Sequence, residues 1–143
     1  MTPVITKKGS LAERLRSRLE ARTARVAVVG MGYVGLPLAE TFAWGGYPVL
    51  GFDIDADKVA RLRRGESYIG HICGERVAEM RASGRFEATT DPARFADADA
   101  VVICVPTPLT EARDRHGLKL RALHPIEQET CQRLGADLNV KLE

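Results

Sequence analysis

Residues 26–35 read Val-Ala-Val-Val-Gly-Met-Gly-Tyr-Val-Gly, a short β-branched run that ends in a G-x-G-x-x-G motif. Continuous apolar residues are typical of a parallel strand buried on both faces, so we predict a strand over residues 25–29. A helix is predicted from near Val34, because Pro37 then lies in its first turn, where N–H groups have no intrahelical acceptor. The glycine pair at 45–46 ends this helix.

The glycine motif stands between a predicted strand and a predicted helix, which is the context of a dinucleotide-binding fingerprint. Gly30 allows a tight turn, Gly32 lets a pyrophosphate approach the backbone, and Gly35 lets the helix pack closely on the strand. The pyrophosphate would lie on the free N–H groups at the positive end of the helix dipole. Asp53 follows 18 residues after Gly35, where its carboxylate can accept hydrogen bonds from the adenosine ribose. The alternative is a glycine-rich turn without a ligand.

Charges after Asp53 favour NAD over NADP as the dinucleotide. A 2′-phosphate there would meet the carboxylates of Asp53, Asp55 and Asp57, with Lys58 as the nearest cation, and like charges repel at close range. Lys58 is either a ribose contact or an ordinary surface lysine. Thr107 follows the last predicted strand, and it is either a ligand contact at the carboxyl edge of the sheet or a turn residue.

The remaining chain continues the alternation of strands and helices. The further elements are predicted as strand 48–53, helix 56–64, loop 66–74, helix 75–83, strand 85–90, helical turn 91–95 and strand 100–105. A series of this kind predicts an α/β fold with a parallel sheet. We expect a Rossmann-type, doubly wound parallel sheet that is incomplete, because only four strands can be identified.

An amphipathic helix is predicted ahead of the first strand. Ser10 and Glu13 have the spacing of a capping box, in which each side chain accepts a backbone N–H of the other. Leu11, Leu15 and Leu19 follow at four-residue spacing and form an apolar stripe. We interpret this as a helix that packs on the main domain or on a partner.

The length of 143 residues favours a single globular domain with flanking segments. We expect an N-terminal extension with the helix at 1–24, an NAD-binding domain at 25–114 and an atypical C-terminal tail at 115–143. The formal net charge of +2 is too small to indicate a nucleic-acid partner.

Cysteine use and hydropathy indicate a cytoplasmic protein without a membrane partner. The chain has three cysteines, an odd number without a C-x-x-C pair, which is typical of a reducing compartment. Its apolar runs are much shorter than the roughly 20 residues that span a bilayer. His71 and Cys73 are too few ligands for a metal site, and Cys104 is interpreted as inert packing within a strand.

Longer stretches of the chain resemble the N-terminal domain of the UDP-glucose/GDP-mannose dehydrogenases, a family of nucleotide-sugar dehydrogenases. The resemblance is carried by residues 26–39, 51–55 and 104–109. Residues 68–72 and 81–91 are most similar to the branch that oxidises UDP-N-acetylated hexosamines. The combination of these stretches is far more specific than the glycine motif alone.

The resemblance implies an NAD-dependent oxidation of a UDP-sugar C6 alcohol to the carboxylate, with two NAD⁺ reduced, in the synthesis of polysaccharide precursors. It further implies a UDP-sugar as partner and allows a homo-oligomer. By the same resemblance Asp53 and Lys58 hold the adenosine ribose, while Val105, Pro106 and Thr107 line the nicotinamide side. The cofactor loop implied by the family comprises Gly30, Met31, Gly32, Tyr33, Val34 and Gly35.

The C-terminal part departs from the family pattern after Asp114. In the family the nucleophilic cysteine, a lysine and an asparagine come from a later part of the chain, so no catalytic residue is assigned here. Cys131 lies in a predicted helix over residues 125–134 without the family's glycine-rich context. The change of pattern is consistent with a truncated, frame-shifted or fusion-derived reading frame. Two functions stay open: the cofactor half of a nucleotide-sugar dehydrogenase, and a non-catalytic module for interaction or regulation.

Overall fold

The computed structural model describes residues 10–105, 109–113 and 119–121. Helices and strands alternate along these residues after an initial helix. The elements are α1 (Leu11–Glu20), β1 (Val26–Val29), α2 (Gly35–Trp44), β2 (Val49–Phe52), α3 (Ala56–Arg64), α4 (Gly74–Ala82), β3 (Phe86–Thr89), a 3-10 helix (Pro92–Asp97), β4 (Ala100–Ile103), β5 (Leu109–Arg113) and β6 (Lys119–Arg121).

Strands β1 to β4 form one parallel sheet in the order β3-β2-β1-β4. The chain moves outward from β1 to β3 and then returns to the opposite side of β1 with β4. The strand order therefore reverses between β1 and β4, and ligands of such sheets bind beyond the carboxyl ends of the strands at this point. The predicted Rossmann-type α/β sheet with four strands is confirmed.

The core lies on both faces of the central strand β1, whose residues are all buried. Val26 and Val28 contribute to a cluster with apolar side chains of α2, α3 and α4, because alternate side chains of a strand point to the same face. Val29 belongs to the other face, where the rings of Phe52 and Phe95 lie 4.8 Å apart. Each such buried side chain contributes about 1.5–3 kcal/mol to folding.

Helix α3 places its charged residues beside the end of β2. The Asp55 carboxylate caps the helix by accepting the backbone N–H groups of Asp57 and Lys58 at 3.0 and 3.2 Å. Gly65 ends the helix in the left-handed region, at φ +78°. Lys58 and Arg61 are three residues apart, so they lie on the same face of α3.

Helix α1 has the predicted capping box, with Ser10 N–H donating to Glu13 at 2.6 Å and Glu13 N–H donating to Ser10 Oγ at 3.2 Å. Polar contacts hold the helix on the domain: Arg18 Nη1 pairs with Asp99 at 2.5 Å, and the Tyr47 hydroxyl donates to the carbonyl of residue 19 at 3.0 Å. No residue of α1 is buried, and Leu11 is 75% exposed. Ion pairs and hydrogen bonds thus join α1 to the domain, and packing of the leucine stripe on a partner stays a prediction.

The predicted elements agree with the structure to within one or two residues, apart from one hairpin. Strands β5 and β6 pair antiparallel, with Leu109 opposite Arg121 and Arg113 opposite Lys119. No strand was predicted there, because these charged segments lack the apolar runs that indicate strands in the rest of the chain. The predicted helix over residues 125–134 lies outside the described residues.

None of the helices that the structure describes is long and apolar enough to span a bilayer.

Candidate cofactor-binding site

The loop from Gly30 to Gly35 connects β1 with α2 at the carboxyl edge of the sheet. Gly30 has φ +94°, and a Cβ there would lie 2.5 Å from the Cys104 carbonyl oxygen, so this tight turn requires glycine. A Cβ on Gly35 would overlap the Gly30 carbonyl oxygen, so its absence lets α2 begin directly against the loop. A Cβ on Gly32 would meet nothing within 4 Å, so the loop faces open space at this residue.

The backbone of the glycine loop offers unpaired donors at the start of α2. Gly30 N–H donates to Phe52 O at 2.7 Å, and Met31 N–H donates to Asp53 Oδ2 at 2.8 Å. The N–H groups from Gly32 to Gly35 donate to no described residue, and the N-cap Val34 supplies no side-chain cap. Unpaired N–H groups at the positive end of a helix dipole are a binding site for an anion such as a pyrophosphate.

The Asp53 carboxylate lies directly after β2 and is buried, with 6% exposure. Its Oδ2 accepts the Met31 N–H, and its Oδ1 accepts the Asp55 N–H at 2.9 Å. Lys58 Nζ lies 3.8 Å from Oδ2, so a cation stands beside the carboxylate. An ionised carboxylate has about four acceptor positions. Positions therefore remain for the hydroxyl groups of a ribose.

A cavity of about 390 Å³ opens between the glycine loop and α3. This volume lies within the usual range for small-molecule sites. Its lining residues are Gly32, Tyr33, Asp55, Asp57, Lys58, Arg61, Tyr68 and Ile69. Of the predicted site residues, Gly32, Tyr33 and Lys58 line this cavity, beside the carboxylates of Asp55 and Asp57.

Arg61, Tyr68 and Ile69 were not predicted as part of the site. Arg61 could have been found from its spacing, because it stands one helical turn after Lys58 on α3. Its Nη2 donates to the carbonyl oxygen of Ser67 at 2.6 Å, and its guanidinium lies 5.6 Å from the centre of the Tyr68 ring. Lys58 is therefore not the sole cation on this side of the loop.

The connection between α3 and α4 contacts the glycine loop and lines the cavity with Tyr68 and Ile69. The Tyr68 hydroxyl donates to the Met31 carbonyl oxygen at 2.5 Å. Burial, together with the nearby carboxylates of Asp53 and Asp55, raises the pKa of Tyr68, so the phenol stays protonated. Tyr33 is 73% exposed and stacks on His71, with ring centres 5.9 Å apart.

The carboxyl end of β4 reaches the glycine loop from the other side. Val105 is partly buried, and a Cβ added to Gly30 would lie 3.2 Å from the Val105 Cγ1 atom. The predicted residues Pro106 and Thr107 lie outside the described residues. Burial raises the pKa of Cys104, in line with its interpretation as packing.

The described residues also hold no group of three or more His, Cys, Asp or Glu side chains that could bind a metal ion.

Comparison with protein families gives one match over most of the chain. Residues 24–136 match the UDP-glucose/GDP-mannose dehydrogenase family, NAD binding domain. The chain belongs to this family. The matched part is the domain that holds the nicotinamide cofactor, so NAD is the cofactor of this domain. The predicted resemblance is confirmed.

Curated relatives in this family are UDP-sugar dehydrogenases. The UDP-N-acetyl-D-mannosamine dehydrogenase of Methanococcus aeolicus is 38% identical over 96 residues, which are 66% of this chain and 21% of that protein. The UDP-glucose 6-dehydrogenase of Haloferax volcanii is 38% identical over 86 residues, 60% of this chain and 20% of that protein. This chain thus spans about a fifth of the length of the curated relatives that it matches.

Solved structures of the same family have the same fold. A ternary complex of GDP-mannose dehydrogenase from Pseudomonas aeruginosa superposes with a TM-score of 0.63 at 30% identity, over 83% of this chain and 26% of that one. The UDP-D-ManNAc dehydrogenase of Pyrococcus horikoshii superposes with a TM-score of 0.57 at 34% identity, over 60% of this chain and 21% of that one.

Proposed function

We propose that this chain binds NAD(H) through the glycine loop and the adjoining cavity. The observation that carries the proposal is that the N–H groups from Gly32 to Gly35 donate to no residue that the structure describes, while a Cβ on Gly32 would meet nothing within 4 Å. A pyrophosphate accepts hydrogen bonds from these groups, while the helix dipole of α2 favours its charge. The cofactor residues of the site are Gly30, Met31, Gly32, Tyr33, Val34 and Gly35 in the loop.

The adenosine half is assigned to the side of β2 and α3. The Asp53 carboxylate accepts the ribose hydroxyls, and Lys58, which lies 3.8 Å from it, donates to the same sugar. Val105 follows β4 at the strand reversal, and the family resemblance assigns it, with Pro106 and Thr107, to the nicotinamide side. The nicotinamide supplies hydride acceptance when it is bound, and the residues of this chain hold and orient it.

Selectivity for NAD over NADP follows from the carboxylates at this end of the cavity. Asp53, Asp55 and Asp57 would repel a 2′-phosphate. Arg61 partly opposes that repulsion, because its guanidinium keeps its positive charge while it donates to the Ser67 carbonyl oxygen at 2.6 Å. We therefore expect a clear preference for NAD that is smaller than three unopposed carboxylates would give.

We further propose that the chain forms the cofactor half of a UDP-sugar 6-dehydrogenase, with residues 25–114 as the NAD-binding domain. Support comes from the family match and from relatives that act on UDP-sugars. The reaction needs a cysteine nucleophile that the family places in a later part of its chains. A UDP-N-acetylated hexosamine as substrate, a homo-oligomer and a cytoplasmic location stay predictions.

Calorimetric titration of the 143-residue chain with NAD⁺, NADH and NADPH tests the cofactor proposal. The titration detects dissociation constants of up to about 1 mM, and this limit corresponds to a binding free energy of roughly 4 kcal/mol. NADH is expected to raise the melting temperature, because it binds only the folded chain. A folded sample without NAD(H) heat contradicts the proposal. Formation of NADH from a UDP-hexosamine by this chain alone would contradict the assignment of catalysis to residues elsewhere.

A second candidate function is a non-catalytic interaction module. The observation that favours it is the leucine stripe of α1, where Leu11 is 75% exposed and Leu19 is 37% exposed. Light scattering of the chain and of an L11S/L19S variant separates the two functions. Concentration-dependent association that the variant loses, together with absent NAD(H) binding, favours the module.

A further inference from the structure

Met31 is held at both of its backbone polar groups by side chains from two other elements. Its N–H donates to Asp53 Oδ2 at 2.8 Å, and its carbonyl oxygen accepts the Tyr68 hydroxyl at 2.5 Å. Its own side chain is fully buried in the core. The middle of the glycine loop is thus fixed by three independent contacts.

The two hydrogen bonds set the directions of the peptide planes on either side of Met31. In a trans peptide the C=O of one residue and the N–H of the next point in opposite directions. The hydrogen bond that Met31 N–H donates to Asp53 orients the Gly30–Met31 peptide plane. The carbonyl oxygen of this plane lies close to Gly35 at the start of α2. The bond from Tyr68 orients the Met31–Gly32 plane, and this plane carries the Gly32 N–H.

Tyr68 is itself held firmly in place. Its neighbours Ile69 and Ile72 are each 3% exposed and anchor the connection in the core. Ser67 forms a local turn, in which its Oγ accepts the Ile69 N–H at 3.1 Å, and Arg61 donates to its carbonyl. Because the Tyr68 side chain is already fixed in this way, it loses little conformational entropy when its hydroxyl bonds the Met31 carbonyl. The hydroxyl can therefore set the direction of this carbonyl.

We propose that Tyr68 is a positioning residue for the cofactor pyrophosphate, acting through the Met31 carbonyl. Its hydroxyl holds the Met31–Gly32 peptide so that the Gly32 N–H points away from Tyr68, at a residue where a Cβ would meet nothing within 4 Å. A donor on the carbonyl also polarises the peptide, which strengthens the N–H as a donor. This inference rests on the proposed function, since it requires an NAD pyrophosphate at this loop.

The variant Y68F removes the hydroxyl and keeps the ring against which Lys58 and Arg61 lie, at 6.0 and 5.6 Å. Y47F is the matched control, because the Tyr47 hydroxyl also donates to a backbone carbonyl, that of Leu19 at 3.0 Å, away from the loop. Affinities for NADH, ADP and adenosine are measured by calorimetry for the wild type and both variants. ADP carries the pyrophosphate, whereas adenosine does not.

We expect Y68F to weaken NADH and ADP binding about fivefold to tenfold, as loss of one oriented hydrogen bond implies, with adenosine binding unchanged. Y47F keeps all three affinities. If Y68F binds NADH and ADP as tightly as the wild type does, the role of Tyr68 is overturned and the proposed function stands. The same conclusion follows if Y68F loses as much affinity for adenosine as it loses for NADH and ADP. Absent NADH binding in the folded wild type overturns the proposed function and this inference with it.

Amide signals add a readout that needs no ligand. In a ¹⁵N-labelled chain we expect Y68F to shift the Gly32 amide signal more than Y47F does, because only the former releases the Met31 carbonyl. A Gly32 signal that both variants leave in the same place contradicts the proposed positioning, whatever the cofactor affinities are.

Discussion

The Asp53 carboxylate accepts the backbone N–H of Met31 at 2.8 Å, which links the end of β2 to the middle of the glycine loop. A residue predicted for the ribose thus also shapes the loop proposed to hold the pyrophosphate. The change D53N keeps one acceptor oxygen but removes the negative charge. This charge attracts Lys58, and the carboxylate that carries it accepts the N–H groups of Met31 and Asp55. We expect NADH affinity to fall about tenfold to hundredfold, since hydrogen bonds to charged groups are the stronger ones. Calorimetry checks this.

D57N is the control for the D53N experiment. It removes a negative charge that lines the cavity, and the Asp57 side chain makes no contact with Met31 among the described hydrogen bonds. We expect D57N to keep NADH affinity within about twofold and to improve NADPH binding modestly through reduced repulsion. If both variants lose NADH binding equally, charge alone accounts for the effect, and the contact with Met31 is irrelevant.

The glycines of the loop separate folding from binding. A Cβ on Gly35 would overlap the Gly30 carbonyl oxygen, whereas a Cβ on Gly32 would meet nothing within 4 Å. G35A is therefore expected to lower the melting temperature markedly, because packed backbone has no room to move aside. G32A is expected to melt near the wild-type temperature but to lose NADH affinity at least about tenfold, since its methyl group occupies the approach of the pyrophosphate. A G32A variant that binds NADH like the wild type would mean that the cofactor does not approach at this residue.

The periodicity of the sequence predicted the sheet correctly, but not all of the site. Buried strands such as residues 26–29 are continuous apolar runs, and glycines and prolines mark their ends, so local signals were sufficient. Arg61 and Tyr68 come to the site through packing of α3 and its following connection onto the glycine loop. Helical spacing after Lys58 could have indicated Arg61, whereas the contact of Tyr68 with Met31 joins residues distant in sequence, and no local pattern predicts it.

Helix α1 and the β5–β6 hairpin show the same limit. The stripe of Leu11, Leu15 and Leu19 predicted a helix that packs on the domain or on a partner. In the structure, Arg18 and Asp99, 81 residues apart, join this helix to the domain. The amphipathic pattern predicted the helix itself but did not identify what it contacts. The charged segments of the hairpin carry too few apolar residues for a strand to be predicted from them.

Helices α2 and α4 are joined by a buried carboxylate whose partner is partly exposed. Glu40 is 5% exposed, and Arg76 reaches it with Nη2 at 2.8 Å from Oε2 and Nε at 2.7 Å from Oε1. R76A leaves this carboxylate without its cation, and we expect the free energy of unfolding to fall by about 1–3 kcal/mol. Urea denaturation measures the loss, and R81A, on the same helix, serves as the control with little expected change.

The double variant E40Q/R76A tests the origin of that loss. A neutral amide is less costly to leave buried than a charge, so we expect it to recover part of the stability that R76A loses. Should the double variant be no more stable than R76A, lost packing of the arginine side chain accounts for the effect, and the buried charge does not.

The cluster around Arg94 predicts a dependence of stability on pH. Arg94 donates to Glu87 at 2.5 and 3.0 Å and to Asp97 at 2.7 Å, and these hydrogen bonds lower the pKa of both carboxyls below their ordinary values. A carboxyl with a lowered pKa stabilises the fold above its unfolded-state pKa, and this contribution is lost as the pH falls through the folded-state value. R94A is therefore expected to melt below the wild type at pH 7, and the difference should shrink as the pH falls through the lowered, folded-state pKa values of Glu87 and Asp97. Since these side chains are exposed, the difference should also shrink in high salt. Melting curves from pH 7 into the acid range check this, and a difference that does not shrink as the pH falls would show that Arg94 contributes through packing.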